Sequence, residues 1–297
     1  MARLKLLASL VLTMGGPAFA QSSAAPAATV AHAAAPDTAA VHLTDAEKEA
    51  FLRDADVVKT KGAPGGITGS TRATLRNGDF EHDAHIQCVD EHKPQLALGS
   101  GVELDFHDSW RGNVAAYRID RLLGLGMVPV TVVRHYRDGN AAFTWWVDDV
   151  LMLEKDRFHK KIRAPDVEEW NHQMFVVRVF DQLIYNFDRN LGNLLIDKQW
   201  NIWMIDHTRA FKIFTDLKSE KNLGTRCARD LFAAMQKLDK ATLKPLLTDV
   251  LSDPQIDGVL GRRDRIVQCY QAKIGSLGEA RVLYDLPPRI VKVAAPQ

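Results

Sequence analysis

The spacing of apolar positions changes once along this chain, and the change divides it into two parts. Between residues 55 and 150, short apolar runs alternate with turn residues in a strand-like rhythm broken by one helical stretch. Residues 56–58 read as a short strand, and residues 62–69 as a glycine-rich turn containing Gly62, Gly65, Gly66 and Gly69. A second strand at 71–75 runs into Asn77-Gly78, a strong hairpin signal, and a third covers 80–89. A helix is predicted over 113–123, where Val114, Tyr117, Ile119, Leu122 and Leu123 follow a helical stripe that Gly124 and Gly126 end. Two further strands fall at 128–133 and 142–147. Past Asp149 the period becomes helical: residues 168–187 place Trp170, Met174, Val177, Phe180, Leu183 and Ile184 on one face. Short strands at 194–196 and 202–205 interrupt, and helices return from 228 to about 274. The pattern predicts an α+β chain, with a β-rich lobe at 43–147 and a mainly helical lobe at 148–297. The joint falls near residues 146–149, and a cleft between two such lobes is a natural ligand site.

The first 42 residues follow other rules. Arg3 and Lys5 precede an apolar run over 6–14, and Ala18-Phe19-Ala20 then gives a small-x-small cleavage pattern with Gln21 as the new N-terminus. Residues 1–20 therefore read as a signal peptide, and the expected location is exported, periplasmic or secreted. The apolar run is too short to serve as a permanent anchor, and no other stretch approaches spanning length, so no integral membrane segment is expected after cleavage. Residues 21–42, rich in Ala, Ser, Pro and Thr without apolar periodicity, read as a disordered linker. Order is expected to begin where Thr44 is followed three residues later by Glu47, the spacing of a capping box.

Composition narrows the classes. The 297 residues are 46% hydrophobic, enough for one sizeable domain or two small ones sharing a cleft. Lys and Arg number 38 against 37 Asp and Glu, and losing Arg3 and Lys5 takes the net charge from +1 to −1, so no basic field argues for nucleic acid. Three cysteines, Cys88, Cys227 and Cys269, cannot all pair within the chain. Buried free thiols are expected, with Cys227–Cys269 the pairing open to an exported chain.

The chemistry concentrates in residues 181–211. A long helix is followed by a polar loop with Asp188, Arg189, Asn190 and Asn193, and a hairpin then delivers Asp206 directly after an apolar strand. Phosphoryl transfer needs a carboxylate to orient an acceptor hydroxyl and hard oxygen ligands to hold Mg²⁺ or Mn²⁺. Asp188 and Asn193 have the D-x-x-x-x-N spacing of a kinase catalytic loop, a pattern that polar turns also produce, and Asp206 strengthens it. Arg189 and Arg209 read either as phosphate or acceptor contacts or as charges steadying the acids, and His207 as structural. His82, Asp83 and His85 are a weaker metal candidate, because H-D-A-H on a strand points its histidines to opposite faces. No H-E-x-x-H, H-x-H or G-x-S-x-G is present, which removes the commonest metal- and serine-hydrolase signatures.

The run N-F-D-R-N-L-G-N-L-L with I-D-H-T-R-A-F resembles the active-site region of atypical kinases of the protein-kinase fold: the phosphatidylinositol 3-/4-kinase-like, HipA-like and secretory casein-kinase-like branches. Upstream, N-V-A-A-Y-R-I-D-R-L-L-G-L-G-M-V-P-V-T-V-V-R resembles their small-lobe helix and following strand, and together the matches cover most of residues 55–215. The resemblance implies a protein-kinase-like two-lobed fold that binds ATP with Mg or Mn. It implies Asp188 as catalytic residue, Asn193 and Asp206 as metal ligands, and backbone near Trp146 and Val147 at the adenine hinge. Gly66 and Gly69, with Gly62 and Gly65, would cover the phosphates, although no G-x-G-x-x-G is present. The departure lies in the small lobe. A kinase pairs a strand Lys with a helix Glu; here Lys93 or Arg72 would supply the cation, and Asn113 stands where an acid is expected, with Glu103 or Asp105 as substitutes.

Two functions follow as expectations. One is an exported kinase-like transferase moving phosphate from ATP to a hydroxyl on a protein, sugar or lipid. The other is a nucleotide-binding pseudokinase or partner-binding module without turnover. A purely structural exported protein would be favoured if Asp188, Asn193 and Asp206 did not share a cleft.

Overall fold

In the computed structural model, which describes residues 43–62, 70–98 and 101–289, helix α1 (Asp45–Asp54) starts at the capping box. Thr44 accepts the Glu47 N–H at 3.3 Å, and the Glu47 carboxylate takes the Thr44 N–H at 2.7 Å. The expectations at 1–42 and at Gly65, Gly66 and Gly69 lie outside the described residues.

Strands β1 (Asp56–Gly62), β2 (Thr71–Asn77) and β3 (Phe80–Gln87) run antiparallel. Asn77 pairs with Phe80 across Gly78, whose φ of +59° is the left-handed conformation a tight hairpin needs. Strands β4 (Asp90–Leu98) and β5 (Gly101–Ser109) form a separate two-stranded ribbon. Helix α2 (Arg111–Leu122) follows, then β6 (Thr131–Tyr136) and β7 (Gly139–Trp145), which complete a five-stranded antiparallel sheet in the order β1-β2-β3-β7-β6.

Alternation gives the sheet two unlike faces. Ala73, Leu75, Ala84, Ile86, Phe143 and Trp145 are buried on one, where α1 and α2 pack. Arg72, Thr74, Asp83, His85, Thr144 and Thr131 occupy the other. His82 and His85 accordingly part: His82 stacks on Trp145 at 3.6 Å and meets Asp148 at 2.9 Å, while His85 pairs in register with Arg72 and Thr144.

Residues 146–149 lead to β8 (Val150–Leu153), α3 (Glu154–His159) and α4 (Val167–Leu183). β8 joins β9 (Leu194–Asp197) and β10 (Ile202–Met204) in a second antiparallel sheet of order β10-β9-β8. The rest is mainly helical: α5 (Arg229–Lys237), α6 (Lys240–Leu247), the 25-residue α7 (Asp253–Leu277) and α8 (Glu279–Val282). A short parallel pairing of β11 (Cys227–Ala228) with β12 (Leu283–Tyr284) returns the C-terminal segment to α4, where Tyr284 Oη donates to the His172 carbonyl at 2.6 Å and the two rings stack at 3.9 Å. All described residues fall in one compact unit, and among them no helix is long and apolar enough to cross a membrane.

The β-rich lobe and the mainly helical lobe match the expected α+β division, although two helices, α1 and α2, pack on the sheet where one was expected. Three details differ from the sequence expectation. The ribbon β4–β5 was not anticipated, because D-E-H-K-P-Q-L carries no apolar alternation and mostly faces solvent. The long helix ends at Leu183 rather than 187, because Tyr185 turns to a φ of +55°. All three cysteines are free, but only Cys227 is buried; Cys269 is half-buried and Cys88 exposed.

His85 lies on the sheet face with Arg72 and Thr144, and burial lowers its pKa from 6.5 to about 4. Its neutral form is favoured by folding, so this stability contribution is complete above about pH 6.5 and is lost as pH falls towards about 4. Because the side chain is only partly covered, the expected loss is about 2 kcal/mol. Denaturant unfolding at pH 7 and pH 4.5 should show His85→Gln losing about 2 kcal/mol less than the parent protein; equal losses would refute the assignment.

Candidate active site

Strands β9 and β10 bury Leu194, Ile196, Ile202 and Met204 and so fix a rigid hairpin. Its turn is closed by Asp197, whose carboxylate accepts Gln199 N–H and Asn201 N–H at 2.9 Å each and Trp203 Nε1–H at 3.0 Å. The hairpin's open end carries the chemistry. Ile205 N–H donates to the Asn193 carbonyl at 3.1 Å, so Asn193 and Asp206 stand one register step apart. Asp206 adopts a φ of +59°, a conformation that costs a non-glycine residue energy and persists where the surroundings impose it.

The loop with Asp188 is held by its neighbour Arg189, whose five N–H donors are all used. Nε and Nη2 each reach Asp181 of α4 at 3.0 Å. Nη1 donates to the carbonyls of Asn193 at 2.9 Å and Ile205 at 2.7 Å, and Nη2 also meets His207 Nε2 at 2.9 Å. Because the guanidinium donates, His207 Nε2 accepts, which makes that imidazole the neutral Nδ1–H tautomer. Burial, then the Arg189 charge, hold its pKa well below the usual range. Asp181 is pushed upward by burial and drawn back by Arg189. Arg189 is thus a structural staple rather than a partner of Asp188.

Asp188 and Asp206 are open to solvent yet crowded. Burial of its flank raises the Asp188 pKa, Arg209 lowers it, and Asp206, Asp108 and Glu103 raise it further. Asp206 is raised by burial and by Asp108, against its hydrogen bond from Thr208 Oγ1 and the Arg189 charge. Asp188, Asp206 and Asp108 therefore lie within electrostatic reach of one another. Asp108 Oδ1 is buried without a protein hydrogen-bond partner, an arrangement that costs free energy unless a water or a cation completes it. Glu103 behaves differently: it takes Arg209 at 2.7 Å and Lys212 at 2.8 Å, and its pKa is lowered despite burial. Lys218 donates to the Phe187 carbonyl at 3.1 Å and acts electrostatically on Asp188. The uncompensated carboxylates suit a hard divalent cation with oxygen ligands.

The first lobe docks here through backbone contacts. Asn113 Oδ1 accepts His207 N–H at 2.7 Å, and Ser109 N–H donates to the Thr208 carbonyl at 3.0 Å. Gly112 lies so close that a Cβ there would come within 2.2 Å of the His207 oxygen. Asn113 thus couples α2 to the segment after Asp206 as an acceptor for a backbone donor, a task that needs no negative charge.

The other candidates occupy distinct places. Lys93 is on the exposed ribbon, paired with Glu91 at 3.0 Å. Arg72 lies on the sheet face with His85, paired with Asp83 at 2.5 Å and 4.1 Å over the Trp146 ring. Trp146 N–H donates to the Asp83 carbonyl at 3.1 Å, and Val147 is buried in the link to β8. Gly66 and Gly69 belong to the connection between β1 and β2, outside the described residues. Sequence reasoning missed Asp108 and Lys218; the only signal for Asp108 was an acid shortly before a predicted helix.

This architecture is the atypical kinase-like fold: an antiparallel sheet with docked helices and a mainly helical lobe, with loop acids at the joint. The chain is similar to the structure of hydra Fam20 with sugar (TM-score 0.62, 13% identity, 81% of this chain and 92% of that one). It is also similar to the Golgi casein kinase (TM-score 0.57, 13% identity, 82% and 80%) and to that kinase with Mn and ADP bound (0.56, 13%, 82% and 80%). No family model matches the chain, and no curated protein matches it by sequence.

Arg189→Met would strand Asp181 in the interior and is expected to cost about 3–5 kcal/mol. The double variant with Asp181→Leu should recover a large part of that loss in denaturant unfolding. An Arg189→Met protein as stable as the parent would show that the staple does not hold the loop.

Proposed function

We propose that this protein is an exported, metal-dependent phosphotransferase that moves the terminal phosphate of ATP to a hydroxyl acceptor. The carrying observation is the set of carboxylates Asp188, Asp206 and Asp108 with the orphaned Asp108 oxygen between two lobes of kinase-like fold. Asp188 is assigned to orient the acceptor hydroxyl and take its proton. The acceptor oxygen bonds to the terminal phosphorus, the bond from that phosphorus to its bridging oxygen breaks, and ADP leaves with the electron pair. Asp206, Asn193 and Asp108 would hold Mg²⁺ or Mn²⁺, which when bound neutralises phosphate charge. Backbone near Trp146 and Val147 would meet adenine through groups other than the Trp146 N–H, which Asp83 occupies. The Mn and ADP held by the Golgi casein kinase support the nucleotide and metal assignment. The acceptor is a protein, sugar or lipid hydroxyl; the sugar held by hydra Fam20 favours testing sugars first. The N-terminal pattern of Arg3, Lys5 and Ala18-Phe19-Ala20 supports export.

One observation favours the second reading, nucleotide binding without turnover. Lys93 pairs with Glu91 on its own strand and Arg72 with Asp83 on the neighbouring strand, so neither makes the pair with a helix acid that holds a kinase's phosphate-contacting cation. Purified protein with labelled ATP, Mn²⁺ and a panel of protein and sugar acceptors separates the two. Transfer that Asp188→Ala and Asp206→Ala each reduce by a hundredfold or more is expected. A thermal shift with ATP and Mn²⁺ but no transfer would leave the binding module, and no shift at all would overturn both.

Asp108→Asn gives an independent check. Removing one of three crowded like charges should raise the metal-free melting temperature by a few degrees and shrink the rise that Mn²⁺ produces. A lower metal-free melting temperature with an intact Mn²⁺ response would remove Asp108 from the cation site.

A further inference from the structure

We propose a second metal site, on the ribbon β4–β5, in which His92, Asp105 and His107 bind a transition-metal ion of the Zn²⁺ class. It does not depend on the phosphotransferase reading.

His92 and His107 face each other directly across the ribbon, and their rings stack at 4.3 Å and 23°. Asp105, two residues before His107, turns its carboxylate between them: Oδ1 lies 3.2 Å from His92 Nε2 and 3.6 Å from His107 Nδ1. Ligand atoms on a tetrahedral ion with bonds of about 2.0–2.1 Å stand about 3.3 Å apart. One ligand atom from each residue lies within 4.8 Å of the other two. The three side chains are thus spaced to be ligands of one ion.

The surroundings orient the ligands. Asp105 Oδ2 accepts Ile213 N–H at 3.0 Å, which leaves Oδ1 directed at the imidazoles. Asp105 adopts a φ of +50° although it is 9% exposed, so a strained backbone holds the carboxylate in place. His107 Nδ1 lies 2.9 Å from the Asp105 carbonyl and Nε2 lies 3.5 Å from Gln255 Nε2. Ion binding at Nδ1 releases that nitrogen's proton to solvent. The three residues line a cavity of about 290 Å³ shared with Ser109, Arg111 and Gln255, which leaves a coordination position open to water or a ligand.

The donor sets separate this site from the acid group around Asp206. Two imidazoles and one carboxylate suit Zn²⁺, Co²⁺ or Ni²⁺, whereas the oxygen-only set suits Mg²⁺ or Mn²⁺. A filled site would also tie the ribbon, through Asp105 and Ile213, to the segment downstream of Asp206. Glu103, on the same strand, already holds Arg209 and Lys212 of that segment.

Titration of metal-free protein with Co²⁺, read by visible absorption, is the test. The expected result is a saturable band of four- or five-coordinate Co²⁺ at one ion per chain, bleached by Zn²⁺ and unaffected by Mg²⁺. His92→Gln and His107→Gln should each weaken Co²⁺ binding tenfold or more, and Asp206→Ala should leave it unchanged. Melting in chelator guards against misfolding, since His92 is exposed and His92→Gln should melt with the parent. In the same assay Zn²⁺ should raise the melting temperature of the parent and of Asp206→Ala but not of His92→Gln. No Co²⁺ band, a band indifferent to both histidine changes, or one lost with Asp206→Ala would overturn the proposal.

Discussion

The arrangement of this protein's candidate active site depends on one buried ion pair, Arg189 with Asp181. Taking two charges out of water costs several kcal/mol each unless every lone pair and proton is met. Here the cost is offset by a guanidinium whose five donors reach a helix carboxylate, two strand-end carbonyls and an imidazole. Those partners belong to four pieces of chain: α4, the residue before β9, the residue after β10, and the turn beyond Asp206. Fixing Arg189 therefore fixes Asp188 before it, Asn193 below it and Asp206 beside it. A lysine could not replace it, because a single ammonium offers three donors and no planar fork.

A second constraint joins the lobes, and it is steric as well as polar. Kinases couple the small-lobe helix to the site with a Lys–Glu pair. In this chain the coupling runs through Asn113, the Ser109 N–H and the absence of a side chain at Gly112. Backbone-directed bonds of this kind set position without adding charge. The negative potential at Asp188, Asp206 and Asp108 is then left for a cation to neutralise, while Glu103 is fully engaged by Arg209 and Lys212.

The sequence made the local signals legible and left the tertiary ones hidden. Thr44 with Glu47, Asn77-Gly78 and the apolar stripe of residues 170–184 are each set by neighbours within four residues or by a simple period, so their reading holds in the structure. The spacing from Asp188 to Asn193 and the strand-terminal Asp206 were legible because a hairpin brings them together over a short stretch of chain. Asp108 was not, since its neighbours in the site lie some 80 to 100 residues away and its own segment is a polar ribbon without periodicity. The role of Arg189 was ambiguous for a similar reason: nothing in N-F-D-R-N says that its partner is Asp181, on the preceding helix, rather than the aspartate beside it.

The segment from Asp206 to Ile213 is where these constraints meet. Its first residues are held by Arg189 and Asn113, and its middle by Glu103. Its end is held by the Ile213 N–H on Asp105 and by Arg262, which donates to the Lys212 carbonyl at 3.0 Å and to the Leu183 carbonyl that closes α4. Eight residues are thus clamped by both lobes and by the ribbon, using backbone groups more than side chains. Backbone clamps of this kind tolerate substitution of most side chains in the segment but not displacement of its path. The residues that cannot vary freely are those that contact the path: Gly112 for its missing Cβ, Arg189 and Arg262 for their forked donors, and Asn113 for its single acceptor oxygen.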